Sequence, residues 1–246
     1  MFAATGLCTL FAAAILGFIL AYLLWNGARG LNLDFFTQLP KPPGETGGGL
    51  ANALLGSAEI VAIAVLIGAP IGFLAGVYLS EFASAPFAFV VRYTTDLLNG
   101  VPSIVLGLFA YALVVLPMKR FSALAGGIAL SIILIPIAVR TTEQFLLAVP
   151  ESLREGALAL GASRWKTVTT VVIPAASRGI LTGLLLGSAR VAGETAPLLF
   201  TSFNNRYWST GLDEPIASLP VLIFTYAISP YPDWHRQAWA ASAYLQ

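Results

Sequence analysis

Charge is scarce in this sequence: Asp, Glu, Lys and Arg make up 10% of its 246 residues, against roughly 25% in soluble globular domains. With a mean hydropathy of +0.81, that shortage excludes a water-soluble domain and points to an integral membrane protein. A formal net charge of +1 leaves no basic surplus for nucleic acid. Cysteine is nearly absent too. The single Cys8 lies in an apolar run, has no partner for an internal disulfide and says little about redox compartment. The one histidine, His235, has no Cys or second His to share a metal with, and beside Trp234 it reads as an interfacial residue. Glycine is densest in Gly44-Glu45-Thr46-Gly47-Gly48-Gly49, but no Gly-Lys-Ser/Thr ending follows and no strand precedes it. That run is a flexible lead-in to a helix and not a nucleotide loop. With no nucleophile and base set in view, the chain reads as a non-enzyme that binds no cofactor of its own.

What the sequence has in quantity is apolar runs long enough to cross a bilayer, which takes about 20 residues. They predict an all-α, polytopic helical membrane protein forming one transmembrane domain, with spans over 3–25, 54–79, 97–117, 121–139 and 179–201. The first run has no basic start and no small-residue cleavage site, and more spans follow, so it is not a signal peptide; the unbasic Met1-Phe2-Ala3 start suggests that a cytoplasmic tail once preceded it. In the second, Gly68, Pro70, Gly72 and Gly76 predict close packing and a kink. Residues 202–236 hold an apolar stretch too short and proline-broken to span, expected as an interfacial or re-entrant segment at the outer mouth. From 237 onward about 10 residues remain, about half a bilayer of helix, so a sixth span is expected to be incomplete.

One polar interruption, 140–178, separates the fourth span from the fifth. Ser152 with Glu155 forms a capping-box pattern, and Ala157, Leu158 and Leu160 supply an apolar face. Gly161 is suited to end that helix in a left-handed turn, after which Arg164-Trp165-Lys166 opens a second, basic helix. Two short helices at an angle make a knob for a socket on a soluble partner; an amphipathic hairpin lying on lipid is the alternative. In the fifth span, Arg190 falls about 12 residues, or about 18 Å, past Arg178 and hence near the midplane, where a charge must face protein or water. Glu194, four residues on, is expected on the same face. The two make either a self-neutralising pair that glues helices together or an anion site in which Glu194 competes for the Arg190 guanidinium.

The run Glu155-Gly156-Ala157-Leu158-Ala159-Leu160-Gly161 with Val171-Val172-Ile173-Pro174 resembles the coupling loop of ABC importer permeases, with Gly156 where the family pattern has Ala. The strings Asn99-Gly100-Val101-Pro102-Ser103-Ile104-Val105-Leu106-Gly107-Leu108 and Arg190-Val191-Ala192-Gly193-Glu194-Thr195-Ala196-Pro197 are more specific, as is Trp208-Ser209-Thr210 with its later Pro215 to Pro220 run. Together they resemble the permease subunits of bacterial phosphate ABC importers, over about residues 26–239. The resemblance implies a MetI-like permease bundle in the bacterial inner (cytoplasmic) membrane. It also implies a second permease of the PstC type, an ATPase pair of the PstB type that uses ATP and Mg, and a periplasmic phosphate-binding protein of the PstS type.

Residue by residue, the resemblance implies transport arginines at Arg140 and Arg190, an intramembrane acid at Glu194, and further pathway positions at Thr195, Asn99 and Ser103. It implies coupling residues at Glu155, Ala157 and Gly161, with Arg164 and Pro174 in the same loop. It places the 140–178 segment in the cytoplasm, which charge alone does not. Arg92, Arg140, Arg154, Arg164, Lys166 and Arg178 on that side are matched by Arg29, Lys41, Lys119, Arg120, Arg206 and Arg236 on the other. Two other readings remain at this stage: a permease for sulfate, molybdate or phosphonate, and a membrane scaffold or sensor that docks an ATPase and moves nothing.

Overall fold

A computed structural model describes the backbone of residues 2–245 and the side chains of residues 4–245; Met1 and Gln246 lie outside the described residues. Every regular element named here is a helix: α1 Phe2–Ala28, α2 Leu33–Thr37, α3 Ala51–Glu81, α4 Ala85–Gly100, α5 Ser103–Met118, α6 Ala123–Leu147, α7 Glu151–Ala159, α8 Arg164–Ala192, α9 Ala196–Thr201, α10 Leu219–Ala227 and α11 Pro232–Leu245. Four of them, α1, α3, α6 and α8, are long and apolar enough to cross a membrane, or five spans if α4 and α5 count as one broken span.

The chain divides into two compact units. The first comprises residues 1–57, 204–209 and 216–246. Its core gathers Phe35, Leu50 and Ala53 with Leu219, Leu222, Trp234 and Ala241, and Tyr226 stacks on Trp234 at 4.3 Å. The short α10 belongs here, with Leu219 to Leu222 buried, and His235 bonds only locally, its Nε2 lying 2.6 Å from the Ser229 carbonyl oxygen. The second unit, 58–203 with 210–215, carries the candidate site residues.

At the centre of the second unit runs α6, buried along most of its length because small residues let its neighbours approach closely. A Cβ on Gly72 of α3 would fall 2.3 Å from the Ala138 Cβ, and one on Gly183 of α8 would fall 2.1 Å from the Thr141 Cγ2. Small residues at four-residue spacing allow backbones in a membrane to meet with maximal dispersion contact. The Gly68, Gly72 and Gly76 stripe of α3 therefore packs as its sequence predicts. An equal stripe on α8, Gly179, Gly183 and Gly187, meets Phe145, Thr141 and Ile137 on α6.

Three span boundaries differ from those expected. The span predicted over 97–117 is bent by 104° between α4 and α5. The cause is Pro102, which disfavours helix at Val101 before it, where φ and ψ are −72° and 132°. The span predicted over 121–139 continues to Leu147, so Arg140 lies inside α6 and not at its end. Continuation is possible because the charges at 140 and 143 are paired by α4. The span predicted over 179–201 instead begins at Arg164 and breaks after Ala192. Two stretches, Tyr111–Val115 in α5 and Val168–Val172 in α8, widen into π-helix just before a proline. In each, the residue before proline donates to the carbonyl five back, Leu116 to Tyr111 and Ile173 to Val168, which carries the helix through Pro117 and Pro174 without a break.

Candidate functional site: an anion cavity and a coupling hairpin

Two of the sequence strings that carry the resemblance, 99–108 and 190–197, lie against each other. A Cβ on Gly107 of α5 would stand 2.6 Å from the Cα of Pro197 at the start of α9, so glycine at that position is what admits Pro197. This contact brings the α4/α5 break next to the α8/α9 break. Between them is a cavity of about 240 Å³ lined by Leu98, Asn99, Val101, Pro102, Ser103 and Leu106 from the first break, Arg190 and Glu194 from the second, and Ile133 and Ile137 of α6. Broken helices at membrane depth leave backbone groups without helical partners, and such backbone is tolerated where it lines a cavity. The N-terminus of α5 starts at Ser103 on the cavity wall, with the partial positive charge and free N–H groups that favour an anion.

Arg190 sits in the last turn of α8, two residues before its end at Ala192, where the carbonyl end of the helix favours a cation. It forms no ion pair among the described residues. The expected Arg190 and Glu194 pair on one helical face is not present: the helix stops at Gly193, whose N–H bonds the Arg190 carbonyl, and Glu194 follows in the turn. Both side chains line the same cavity without neutralising each other directly. The count from Arg178 also changes, because α8 is continuous back to Arg164 and Arg178 marks no helix end. Asn99 and Ser103 join Arg190 at the cavity. Thr195 does not line it; it holds the first cap position of α9.

Arg140 lies elsewhere. Its Nε donates to Asp96 Oδ1 at 2.9 Å, its Nη2 donates to Asp96 Oδ2, and its Nη1 donates to Glu143 Oε2 at 3.1 Å. Glu143 Oε1 accepts from Arg92 Nε at 2.6 Å. Glu143 is three residues from Arg140 on the same helix, but Asp96 and Arg92 carried no local signal, since they reach α6 from 44 and 51 positions away.

The polar interruption folds as a hairpin. Here the capping-box reading fails: Pro150 takes the N-cap position and Ser152 lies inside α7 with no cap bond. The proline, pre-set at a helix-compatible φ, starts the helix two residues earlier than Ser152 would. The end forms as the glycine suggests. Gly161 has φ +82°, its N–H donates to Leu158, and Ala162 N–H donates to Ala157. That pair of bonds is a Schellman closure, which needs the left-handed residue at that position. Ser163 then caps α8 by accepting from Lys166 N–H at 3.3 Å. Glu155 and Gly161 are exposed at this tip with Ala157 half-buried, and Leu160 is 91% exposed. Pro174 is not part of the tip; it lies ten residues along α8 from Arg164, about 15 Å of helical rise away.

Arg164 is exposed but folds back onto the end of α3. Its Nη2 donates to the Glu81 carbonyl oxygen at the end of α3, and its guanidinium lies over the Phe82 ring at 5.4 Å. Next to it, Arg154 Nη1 donates to both Glu81 carboxylate oxygens at 2.7 and 2.6 Å, and Nη2 donates to the Leu146 carbonyl at 2.7 Å. Glu81 and Arg154 are residues that sequence reasoning missed. They pin the hairpin to the ends of α3 and α6 with an ion pair whose side chains are only 6% and 14% exposed.

Comparison with known proteins agrees with this geometry. The family described as "binding-protein-dependent transport system inner membrane component" matches residues 68–230. The chain is 48% identical over 231 residues to the phosphate transport system permease protein PstA of Yersinia pestis, covering 91% of this chain and 78% of that one. It is 50% identical over 228 residues to the protein of the same name from Haemophilus influenzae, covering 92% and 80%. A probable phosphate transport system permease protein PstA of Methanocaldococcus jannaschii is 42% identical over 199 residues, covering 79% and 70%. Among solved structures, an inward-facing conformation of the MetNI methionine ABC transporter superposes with a TM-score of 0.57 at 17% identity, covering 79% of this chain and 87% of that one. At that identity the likeness carries the fold, an all-α polytopic permease bundle. Apolar helices of spanning length, two helix breaks converging on one cavity, a knob-like hairpin and the family match lead to one conclusion: the chain belongs to the binding-protein-dependent transport system inner membrane components.

Proposed function

We propose that this multi-pass membrane protein is a pathway subunit of an ATP-driven phosphate importer of the bacterial inner membrane. In this reading inorganic phosphate, delivered by a PstS-type binding protein, crosses between this chain and a second, PstC-type permease. A PstB-type ATPase pair, which binds and hydrolyses ATP with Mg, docks on the exposed tip around Glu155, Ala157 and Gly161; this chain itself catalyses no reaction. The observation that carries the reading is the cavity whose wall is shared by Arg190, which has no ion-pair partner among the described residues, Asn99, Ser103 and the start of α5. The relatives named for phosphate transport select phosphate among the oxyanions such a site accepts.

The parts act together as follows. Arg190 offers a planar fork of donors to a tetrahedral oxyanion. Glu194, in the same cavity, repels the anion enough to keep binding replaceable, as conduction requires. Closure of the ATPase pair moves the hairpin, and with it the ends of α3 and α6 to which Arg154 and Glu81 fasten it, shifting the permease between outward and inward states. The test is uptake of labelled phosphate by liposomes holding the assembled importer, with excess arsenate or sulfate. ATP-dependent uptake that arsenate inhibits and sulfate does not supports the reading. Inhibition by sulfate would make the chain a permease for another oxyanion, and ATP hydrolysis without uptake would make it a docking scaffold.

A further inference from the structure

The two arginines of the proposed pathway stand in different states. Among the described residues Arg190 lines the cavity without an ion pair, whereas Arg140 is fully engaged by Asp96 and Glu143. These charges continue the cavity walls. Asn99 and Ile137 line the cavity; stepping three or four residues along each of the two packed helices brings Asp96 opposite Arg140, and then Arg92 opposite Glu143. The rungs thus run along α4 and α6, whose residue numbers fall and rise together, toward the α6 terminus from which the coupling hairpin hangs.

The two carboxylates are not equivalent. Asp96 is 57% exposed and Glu143 is 2% exposed. An exposed carboxylate leaves a guanidinium at smaller cost than a buried one. A buried one that holds two arginines cannot leave without exposing uncompensated charge. An oxyanion offers Arg140 the same pair of acceptor oxygens that Asp96 does.

Building on the phosphate pathway above, we propose that Asp96 is a releasable latch on Arg140. It closes the hairpin-side exit of the cavity by occupying the guanidinium, and the arriving anion takes its place. Glu143 stays bonded throughout, so Arg140 never presents its full charge to the anion and lets it go toward the cytoplasm. Asp96 is a positioning residue that acts through Arg140.

The experiment uses the assembled importer in liposomes loaded with labelled phosphate and measures exchange against external unlabelled phosphate without ATP. Asp96→Asn removes the competing charge at an exposed position, and exchange should rise by about fivefold, the factor expected for an exposed pair. Asp96→Glu should stay at the wild-type rate. Val139→Ala loosens the same stretch of α6 at a buried site that packs against Leu79 and Ala88 and should also leave exchange unchanged. An unchanged rate in Asp96→Asn, or an equal rise in Val139→Ala, overturns the latch. Should Asp96→Asn not assemble, Asp96→Ser is read in the same way; failure of both to assemble while Asp96→Glu does would reduce Asp96 to packing and overturn the proposal. ATP-driven uptake by the wild type separates the two levels. Its absence removes the phosphate reading and the latch together, whereas its presence with unchanged Asp96→Asn exchange removes the latch alone.

Discussion

Replacing Glu81 with Ala should free the coupling hairpin from the body of the permease. Arg154 Nη1 reaches both Glu81 oxygens at 2.7 and 2.6 Å, and the Glu81 and Arg154 side chains are 6% and 14% exposed, so the guanidinium would be left largely buried without its carboxylate. Removing one partner of a buried ion pair costs about 3–5 kcal/mol, and the lower end applies here because Arg154 keeps its bond to the Leu146 carbonyl. At about 1.4 kcal/mol per factor of ten, local opening of residues 151–163 should become roughly a hundredfold more frequent. Amide hydrogen exchange in the assembled importer reads this directly: protection should fall in α7 and stay unchanged in the middle of α6. Glu81→Leu with Arg154→Met, an apolar pair of similar volume, should recover most of the protection, because an apolar pair needs no charge compensation. Full protection in Glu81→Ala would refute the reasoning. So would a loss spread equally over α6, which would mean that the pair supports the whole unit and not the hairpin.

Two further substitutions test the packing. Gly183→Val places atoms where a Cβ alone would already meet the Thr141 Cγ2 at 2.1 Å; separating α8 from α6 should cost at least about 1–3 kcal/mol, seen as a lower thermal midpoint of the purified complex. Gly156→Ala, at an exposed helical position where a Cβ would meet nothing within 4 Å, should stabilise α7 by about 1 kcal/mol, seen as slower amide exchange there with uptake retained.

Much of this arrangement was legible in the sequence, and what was not has physical causes. Apolar runs gave the spanning helices, and Gly161 marked the turn of the hairpin because its effect is local. The break at Val101-Pro102 carried its own signal, a proline after Asn-Gly, and the apolar content on both sides masked it. The sequence shows a short basic helix opening at Arg164, but the continuity of α8 from there into the fifth span was hidden for the opposite reason. Arg178 and Pro174 look like the end of a loop, yet a π turn carries the helix past Pro174 to Ala192. The second glycine stripe, Gly179, Gly183 and Gly187, was visible at its four-residue spacing and is as informative as the first. The pairs Arg154 with Glu81, Arg92 with Glu143 and Arg140 with Asp96 join residues 73, 51 and 44 positions apart. Nothing in local periodicity announces them, and they decide which arginine is engaged and which is free.

The central claim is that the unpaired Arg190 in the cavity handles the transported anion. The measurement that tests it most directly is ATP-driven phosphate uptake by the importer assembled with Arg190→Ala, scored alongside the yield of intact complex. The account predicts a normal yield with uptake abolished, because among the described residues the wild-type side chain carries no ion pair that the fold of this chain could depend on. Retained uptake, or loss of the complex itself, would contradict it.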